Sequence, residues 1–553
     1  MQLVAYGAQD VYLSGNPQIT FFKVVYRRHT NFSVEPIQQV WNGVGEFGRT
    51  VTCNINRNGD LITNMYVAVL LDERTPASGR PWGYVNRLGH SMIKECKVEI
   101  GGSKIDEHYG DWLNIWYELT HKVGQERGYS KMIGDVDNLT QVSGSTHRSY
   151  QMYVPLQFWF NRNNGLALPL IALQYHDVRV TLEFRSASEL VNYSITAPQL
   201  TELPAMKDCY LLIDYVYLDS EERKRFAQAS HEYLIEQLQF TGSETLTGSN
   251  QKYRLNFNHP SKYLVWAPQL ERHYTRTNWL AYAHDGDWSA ARDRFAKVIA
   301  AASSNTLLVT ATAITMDLVA GTPAVGDLVS ATLSAPTGSG ITSAMLAKID
   351  VKFVAQAVDT TVVTISSGAN LAQDLLDNAV VTRNELTMED MSQTLTLLQG
   401  SLAAGSVLTL LGLFAQSVVN YNNYGNLVDG TDNPVSEAKL QLNGHDRFQE
   451  RDGNYFNYVQ PYQHFSNTPA DGVNVYSFAL KAEDHQPSGT CNFSRIDNAT
   501  LQVRCGLHNT AGDSNYITNF VGGSSSNSLM NIYTVNYNVL RVMSGMAGTA
   551  YSN

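Results

Sequence analysis

The stretch KVEIGG at residues 97–102 occurs a second time, in related form, as KLQLNG at residues 439–444. Both copies alternate polar and apolar residues and end in a pair of residues that contains glycine. Such alternation is typical of a β-strand with one face in a core, and a glycine-containing pair at its end is typical of a tight turn. The two stretches therefore indicate one structural unit that is present twice in the chain.

Two further pairs of stretches repeat in the same order. DWLNIW at 111–116 is answered by NYFNYV at 454–459, with one residue inserted in the second copy, and TLEFR at 181–185 by TLQVR at 500–504. Each match is short by itself. Because three matches follow one order in both halves, they indicate an internal duplication.

Period-two patterns dominate the chain. They are clearest in the five stretches at 95–100, 177–185, 252–258, 500–505 and 532–539. Each predicts a strand with one buried face and one polar face, as in antiparallel sheets. If the halves are duplicates, Gly102 and Gly444 occupy equivalent turns. Leu182 and Leu501 then occupy equivalent inward positions. Helical periodicity is scarce and is clearest at 219–238.

Length, charge and cysteine content narrow the class of protein. At 553 residues the chain exceeds what one hydrophobic core supports, so at least two domains are expected. The formal charge of −11, with no long run of either sign, argues against a protein that coats DNA or RNA. The five cysteines lack C-x-x-C spacing, which argues against a zinc site or a disulfide framework and predicts reduced, partly buried thiols.

The predicted organisation is two β-domains joined by a charged connector. The boundaries are an N-terminal arm at 1–23, a first domain at 24–218, a connector at 219–230 and a second domain at 231–553. The second domain is interrupted at about 285–434, where the composition shifts to Ala, Thr, Val and Ser. Val, Ile and Leu recur there at strand spacing, so we interpret about 289–385 as an inserted β-rich module.

Long stretches of the chain resemble one virus family. They are 158–180, 216–239, 442–461 and 478–503, together with the opening LVAYGAQDVYLSGNPQITFFKVVYRRHTNF at 3–32. These stretches are similar to the major capsid protein of nucleocytoplasmic large DNA viruses, over the whole chain apart from about 285–434. The resemblance implies an all-β double jelly roll, meaning two consecutive eight-stranded antiparallel jelly rolls, with the β-rich insertion in the second.

The resemblance also implies a function and partners. Members of this family form homotrimers, pseudo-hexagonal capsomers that tile a large icosahedral shell, and many enclose an internal membrane. We therefore expect a virion protein assembled in the host cell cytoplasm. Its partners would be further copies of the chain, neighbouring capsomers, minor capsid proteins and the membrane beneath the shell, with no specific nucleic acid. The alternative is a receptor- or carbohydrate-binding β-sandwich protein, which would need no second barrel.

No motif for catalysis, cofactor or metal binding is found, so the sequence predicts no enzyme and no such site. DVDN at 135–138 and DGTDN at 429–433 cluster oxygen ligands but lack the rest of an EF-hand, and solvated turns are expected there. HDRFQERDGNY at 445–455 mixes acids and bases. Such mixtures usually form salt bridges between loops or between chains. The residues in question are His445, Asp446, Arg447, Glu450, Arg451 and Asp452.

Three further features leave alternatives open. The basic and aromatic stretch at 19–32 is expected to lead from the arm into the first strands and to contact other capsid chains or an anionic layer; a nucleic-acid contact is the alternative. The segment at 401–419 is long enough to span a membrane, but Ser, Thr, Gly and Gln interrupt it. Sequons occur at Asn31, Asn138, Asn192, Asn492 and Asn498, and the chain opens without a signal-peptide pattern, so no glycosylation site is predicted.

Overall fold

A computed structural model gives the structure of the chain. It describes residues 29–282, 433–505 and 528–551, together with short strands between 300 and 414 and a few isolated residues before 29. Within the first of these ranges the gaps are 78–79, 81, 141–143, 194–197, 199–200, 247–249, 275–276 and 278. Most of the arm at 1–23 and most of the basic and aromatic stretch at 19–32 therefore lie outside the described residues.

The described residues of the first half form eleven strands, most of them short: β1 (Phe32–Val40), β2 (Thr50–Asn54), β3 (Leu61–Leu71), β4 (Trp82–Tyr84), β5 (Ile93–Ile100), β6 (Ser103–Tyr109), β7 (Gln151–Pro155), β8 (Leu168–Pro169), β9 (Val178–Phe184), β10 (Val191–Tyr193) and β11 (Met206–Leu218). Its α-helices are α1 (Leu88–Ser91), α2 (Gly110–Thr120), α3 (Glu126–Met132), α4 (Asp137–Thr140) and α5 (Trp159–Arg162). Single 3-10 turns lie at Asn164–Leu166, Leu170–Ala172 and Ala187–Leu190.

Eight of these strands form two facing antiparallel sheets. Sheet 1A has the order β1-β11-β3-β7, and sheet 1B has the order β2-β9-β5-β6. Alternate residues of both sheets point into one core, for example Val67 and Ile213 from sheet 1A and Val98 and Leu182 from sheet 1B. Period-two sequences produce this arrangement because every second side chain lies on the same face of a strand.

The second half begins after helix α6 (Ser220–Gln228). Its strands are β12 (His231–Phe240), β13 (Glu244–Thr245), β14 (Asn250–Arg254), β15 (Pro260–Gln269), β16 (Ala300–Ala301), β17 (Asn305–Leu308), β18 (Thr315–Ala320), β19 (Leu328–Ser334), β20 (Ile349–Val354), β21 (Ala357–Val358), β22 (Val362–Thr364), β23 (Ala379–Val381), β24 (Val407–Phe414), β25 (Val435–Leu442), β26 (His445–Asp446), β27 (Arg451–Asp452), β28 (Asn474–Ser477), β29 (Cys491–Asn492), β30 (Ala499–Cys505), β31 (Leu529–Met543) and β32 (Met546–Thr549). The helices are α7 (Glu271–Tyr274), a π-helical turn (Tyr455–Val459) continued by α8 (Gln460–His464), and a 3-10 turn (Phe493–Arg495).

The sheets of the second half repeat those of the first. Sheet 2A has the order β12-β31-β15-β28, and sheet 2B has the order β14-β30-β25-β26. Each strand occupies the place that its counterpart holds in sheet 1A or 1B, and Trp266, Ile532, Leu440 and Leu501 contribute to the core between the two sheets. The chain is therefore an all-β double jelly roll, as predicted.

The echoes of the sequence lie on equivalent elements. Gly102 ends the β5–β6 turn with φ of 83°, and Gly444 ends the β25–β26 turn with φ of 80°. Leu182 and Leu501 lie on the corresponding strands β9 and β30, and both are fully buried. The register differs, however. Leu501 pairs with Leu440, whereas Val98, the residue that matches Leu440, pairs with Val180. Leu501 therefore corresponds to Val180, and the predicted equivalence of Leu182 and Leu501 is wrong by two residues.

The helical reading of 219–238 is wrong for its second part. Helix α6 ends at Gln228, and residues from His231 onward form strand β12. Ten consecutive residues of β12 pair with β31, from His231↔Val542 to Phe240↔Tyr533. Tertiary pairing therefore overrides the local pattern, because ladder hydrogen bonds and burial outweigh a weak helical propensity.

Strand β31 also departs from its prediction. Tyr533 and Val535 form the apolar face, as expected, but Thr534, Asn536 and Asn538 on the opposite face are buried instead of exposed. Their side chains make hydrogen bonds there, for example from Thr534 Oγ1 to the Tyr263 carbonyl at 2.9 Å. Sheet 2A is thus buried on both faces.

Within the insertion, the strands β16 to β24 form two antiparallel sheets, ordered β16-β18-β22-β21 and β17-β24-β19-β20-β23. The segment at 401–419 contributes strand β24 to the second sheet, and the remainder of the segment lies outside the described residues. No helix among the described residues is long and apolar enough to cross a membrane. DGTDN at 429–433 also falls outside the described residues, except for Asn433, which is buried.

Candidate assembly surfaces

Helix α2 joins the two barrels. Its apolar residues Trp112, Ile115, Trp116 and Leu119 recur at the three- and four-residue spacing that places side chains on one face of a helix. The helix begins at Gly110, where a Cβ atom would lie 2.2 Å from the His90 carbonyl oxygen. Glycine is therefore required for the helix to lie this close to barrel 1.

The apolar face of α2 packs on the outer face of sheet 2A. The ring of Trp112 lies 5.6 Å from that of Tyr533 and 6.5 Å from that of Tyr263, measured between ring centroids. Val265 and Val535 belong to the same buried cluster. Full burial of each large apolar side chain contributes about 1.5–3 kcal/mol, so this contact fixes the barrels side by side.

A buried ionic seam runs beside this contact. Glu236 of β12 lies 3.2 Å from Arg162 Nη1 of barrel 1 and 2.8 Å from Lys262 Nζ of β15. Lys262 Nζ also donates to the Asp484 carbonyl at 3.0 Å, and His485 Nδ1 lies 3.5 Å from Glu236. Because its charges are paired and hydrogen-bonded, the seam can be buried between the barrels.

The charges of the seam set its titration. Burial alone would raise the pKa of Glu236, but Arg162, His485 and Lys262 together lower it to about 2. Burial lowers the pKa of Lys262, although the carboxylate of Glu236 opposes this. Glu236 is therefore ionised at any pH above the acid range, and the seam holds a permanent negative charge between cationic groups.

A second buried group anchors α2 to barrel 1. Arg87 forms an ion pair with Glu118 and donates to Asn114 Oδ1, both of which lie on α2. Its backbone N–H donates to Asp135 Oδ1 at 3.3 Å. Burial alone would lower the pKa of Arg87, but Glu118 and Asp135 outweigh this and raise it. DVDN is therefore not a solvated turn, because Asp135 is buried beside Arg87.

The outer face of sheet 1A corresponds to the face of sheet 2A that α2 covers. Its cross-strand pairs are Val40↔Tyr210, Tyr210↔Ala68 and Ala68↔Tyr153. Val40 is 72% exposed, and Tyr153 and Tyr210 are half-buried. The face is therefore an apolar, tyrosine-rich surface that is partly open to solvent, as interaction surfaces often are.

The π-helical turn and α8 of barrel 2 form the counterpart of α2. Phe456 and Asn457 are buried, as are Leu113 and Asn114 at the matching positions of α2. On the outer side of the turn, however, Val459 is 40% exposed and, on α8, Tyr462 is 82% exposed. This helical segment thus carries apolar side chains toward solvent.

The remaining candidate residues do not come together into a site. The residues at 445–452 are mostly exposed on the β25–β26 hairpin and the segment after it, where Asp446 Oδ1 accepts from Gln441 Nε2 at 2.7 Å and lies near Lys439. Over the described residues, no group of three or more His, Cys, Asp or Glu could hold a metal ion. All five cysteines are unpaired, and burial raises the pKa of each thiol.

Comparison with known proteins identifies the family. The family model for the large eukaryotic DNA virus major capsid protein matches residues 222–548, and that for the major capsid protein N-terminus matches residues 20–219. The chain is 41% identical to capsid protein 1 of Acanthamoeba polyphaga mimivirus and 40% identical to the major capsid protein of Phaeocystis pouchetii virus, over 100% of this chain and 99% of each relative. The chain belongs to the major capsid proteins of large eukaryotic DNA viruses.

A solved structure supports the assignment of this capsid protein. The chain matches the quasi-atomic model of the PBCV-1 virus capsid with a TM-score of 0.62 and 32% identity, covering 97% of this chain and 100% of that one. This capsid protein is a structural, non-enzymatic protein that forms the shell of large icosahedral DNA viruses. The surfaces described above are therefore candidates for contacts between copies, which a shell needs in large number.

The parts of the capsid protein that join its two barrels were not predicted from the sequence. Helix α2 could have been predicted, because the spacing of its apolar residues Trp112, Ile115 and Trp116 fits a helix and not a strand. The pairing of Glu236 with Lys262 could not, since nothing in the sequence shows which residue lies opposite either charge. Only the placement of β12 and β15 on the two sides of β31, beside barrel 1, brings them into contact.

Proposed function

We propose that three copies of this capsid protein close around a threefold axis into a pseudo-hexagonal capsomer. The observation that supports this proposal is the presence of two equivalent barrels held side by side by a buried contact. Three such chains supply six barrels, and a ring of six fills a hexagonal place in a shell. The capsomers then contact one another, minor capsid proteins and the membrane beneath the shell.

The mass of the purified protein tests the proposal. Three chains of 61.4 kDa give a particle of roughly 180 kDa. Obligate contacts of this kind bury on the order of 2,000 Å² or more, so the trimer should persist at micromolar concentration in light scattering and native mass spectrometry. A stable, well-folded monomer at that concentration would overturn the trimer.

A second part of the proposal concerns the domain boundaries and the place of the insertion. Barrel 1 would extend over 24–218 and barrel 2 over 231–553, with the connector at 219–230 and an inserted module at about 285–434, its β-rich core at about 289–385, on the outward tip of barrel 2. Insertions are tolerated at exposed loop tips because few contacts depend on them. Replacing the module by a short linker should leave trimers intact, whereas loss of soluble trimer would place the module in an interface.

The N-terminal arm would attach the capsomer to the inner layer of the shell in the host cytoplasm, where the virion is assembled. Its aromatic residues, together with the basic residues Lys23, Arg27 and Arg28 at and just after its end, suit contacts with other capsid chains or an anionic surface. Removing residues 1–22 should leave folded trimers that bind weakly to the inner layer. Failure of the truncated chain to fold would instead assign the arm to the core, and tight, salt-sensitive DNA binding by the full chain would indicate a nucleic-acid contact.

A further inference from the structure

The contact between the barrels joins two different surfaces. Barrel 1 contributes a helix, α2, and barrel 2 contributes the outer face of sheet 2A. A contact between unlike surfaces is heterologous, and its repetition builds a ring when the rotation closes. Because the barrels are equivalent, barrel 2 also has a helical segment like α2, and barrel 1 also has an outer sheet face like that of sheet 2A. Neither of these two surfaces takes part in the contact within the chain.

The first of these surfaces is the helical segment of barrel 2. The sequence echo aligns Trp112 with Tyr455, and Trp116 with Val459. Trp112 is the residue of α2 that stacks on sheet 2A. Tyr455 is half-buried and Val459 exposed. Tyr462 lies three residues further along the helix and extends the same surface.

The second surface is the outer face of sheet 1A. Strand pairing aligns its row Val40–Tyr210–Ala68–Tyr153 with a row of sheet 2A. The corresponding row is Phe240–Tyr533–Val265–Val475. All members of the second row except Phe240 are fully buried. In the first row Val40 is 72% exposed, Tyr210 and Tyr153 are half-buried, and only Ala68 is buried. The row that α2 covers within the chain is thus partly open in barrel 1.

We propose that Tyr455, Val459 and Tyr462 of one chain dock on the Val40–Tyr210–Tyr153 face of the next chain. The inference rests on the proposed trimer and names its contact. The helical segment of barrel 2 in one chain then packs on sheet 1A of the next chain. This contact has the same geometry as the contact of α2 with sheet 2A within a chain. Six contacts of one geometry close the ring, three of them within chains and three between chains.

Tyrosine suits such a contact because it combines a rigid apolar ring with a hydroxyl that tolerates solvent before assembly. Tyr66 and Leu212 extend the face and pair across β3 and β11. Both are half-buried in the single chain. The surface is therefore soluble enough for a newly made chain and apolar enough for a lasting interface.

Single charges placed on each surface test the contact. Tyr462→Arg and Val40→Arg should each raise the concentration at which trimers dissociate by about 100-fold or more, since a charge at the centre of an interface is costly to bury. Val123→Arg is the matched control, because Val123 is 85% exposed and lies on neither surface. Mass is measured by light scattering, and circular dichroism checks that each chain remains folded.

The outcomes separate this inference from the trimer itself. A monomeric wild type would overturn the trimer, and with it the contact. Trimeric wild type with equally stable Tyr462→Arg and Val40→Arg trimers would overturn the contact alone. Dissociation of Val123→Arg to the same extent would also overturn it, because the effect would not depend on the two surfaces.

Cross-linking gives a second test that does not depend on weakening the assembly. By analogy with Trp112 on Tyr533, position 455 of one chain should face position 210 of the next. Chains with Tyr455→Cys mixed with chains with Tyr210→Cys should be joined by a short bismaleimide, while neither variant alone should link above the background of the native thiols. Links between two Tyr210→Cys chains would indicate a like-with-like contact and overturn the proposal.

Discussion

The outer faces of sheets 1A and 2A occupy equivalent places in two equivalent barrels, yet one is covered and the other is open. In sheet 2A, Tyr263 and Tyr533 lie beneath helix α2 and are fully buried. In sheet 1A, Tyr66 and Tyr210 hold the corresponding places and remain half-buried. Duplication thus produced two similar surfaces, and the position of each barrel in the chain determines which surface is covered during folding.

The outer faces of sheets 2A and 1A also differ in the charges that lie beside them. Beside the covered face lie the buried charges Glu236 and Lys262, and Glu236 also pairs with Arg162 of barrel 1. At the open face the strand β1 presents Val34, Pro36 and Val40 to solvent, and the neighbouring carboxylates Asp208 and Asp214 are exposed and half-buried. Charges that pair within one chain can be desolvated during folding, whereas the charges beside the open face stay in contact with water in the single chain.

Truncation of the residue at the centre of the covered contact should have the largest effect. Trp112→Ala removes a fully buried ring between α2 and sheet 2A and should lower the free energy of unfolding by about 3–5 kcal/mol. Tyr462→Ala is the comparison on the open side, and at dilutions where chains are monomeric its cost should stay within about 0.5 kcal/mol. Urea unfolding followed by circular dichroism measures both. Equal losses of stability would contradict the view that, in a single chain, the Trp112 surface is covered and the Tyr462 surface is exposed.

Loss of the central carboxylate of the seam should rank next. Glu236→Gln leaves the buried Lys262 and the partly buried Arg162 without their counter-charge and should cost about 3 kcal/mol. Glu232→Gln is the matched control on the same strand, since its ion pair with Arg541 is solvent-exposed and should contribute less than about 1 kcal/mol. Thermal unfolding of both variants at one protein concentration decides this. A similar shift for both would contradict a buried role for Glu236.

The pH dependence of the same group follows from its lowered pKa. Glu236 has a folded-state pKa of about 2, below its ordinary value of 4.5, so its contribution is fully present above pH 4.5. It should be lost as the pH falls from 4.5 toward 2, because the unfolded chain then binds the proton more readily. The stability gap between wild type and Glu236→Gln should therefore narrow over that range. A gap that stays constant down to pH 2 would contradict the assignment.

The two hairpin glycines should show the smallest effect and the closest match. Gly102 and Gly444 have positive φ, and nothing lies within 4 Å of a Cβ placed on either. Replacement by alanine should thus cost only the left-handed backbone conformation, about 1 kcal/mol at each site. Gly548→Ala, without positive φ and equally uncrowded, should be near neutral. Clearly unequal costs at Gly102 and Gly444 would weaken the equivalence of the barrels.

Local patterns were sufficient for the repeat and for most strands. Alternation predicts that Cys96, Val98 and Ile100 point inward, and all three are fully buried. The hairpin turns also follow from sequence, because Gly-Gly and Asn-Gly accept positive φ at low cost. Such features depend on a few adjacent residues, so a linear pattern contains the physical information that determines them.

The sequence pattern does not predict which segments pack on each face of a sheet. The alternation of Tyr533 and Val535 with Asn536 predicts an apolar face, but not that a helix of the other barrel covers it or that the asparagine face is buried as well. Asp135 looks like a solvated turn residue until Arg87, 48 residues away in the chain, donates its N–H to it. The sequence by itself determined two jelly rolls and their turns, since periodicity and turn chemistry act over a few residues. Only the tertiary structure decided which of two similar faces is covered and where the buried charges pair, because burial depends on distant segments that no local pattern specifies.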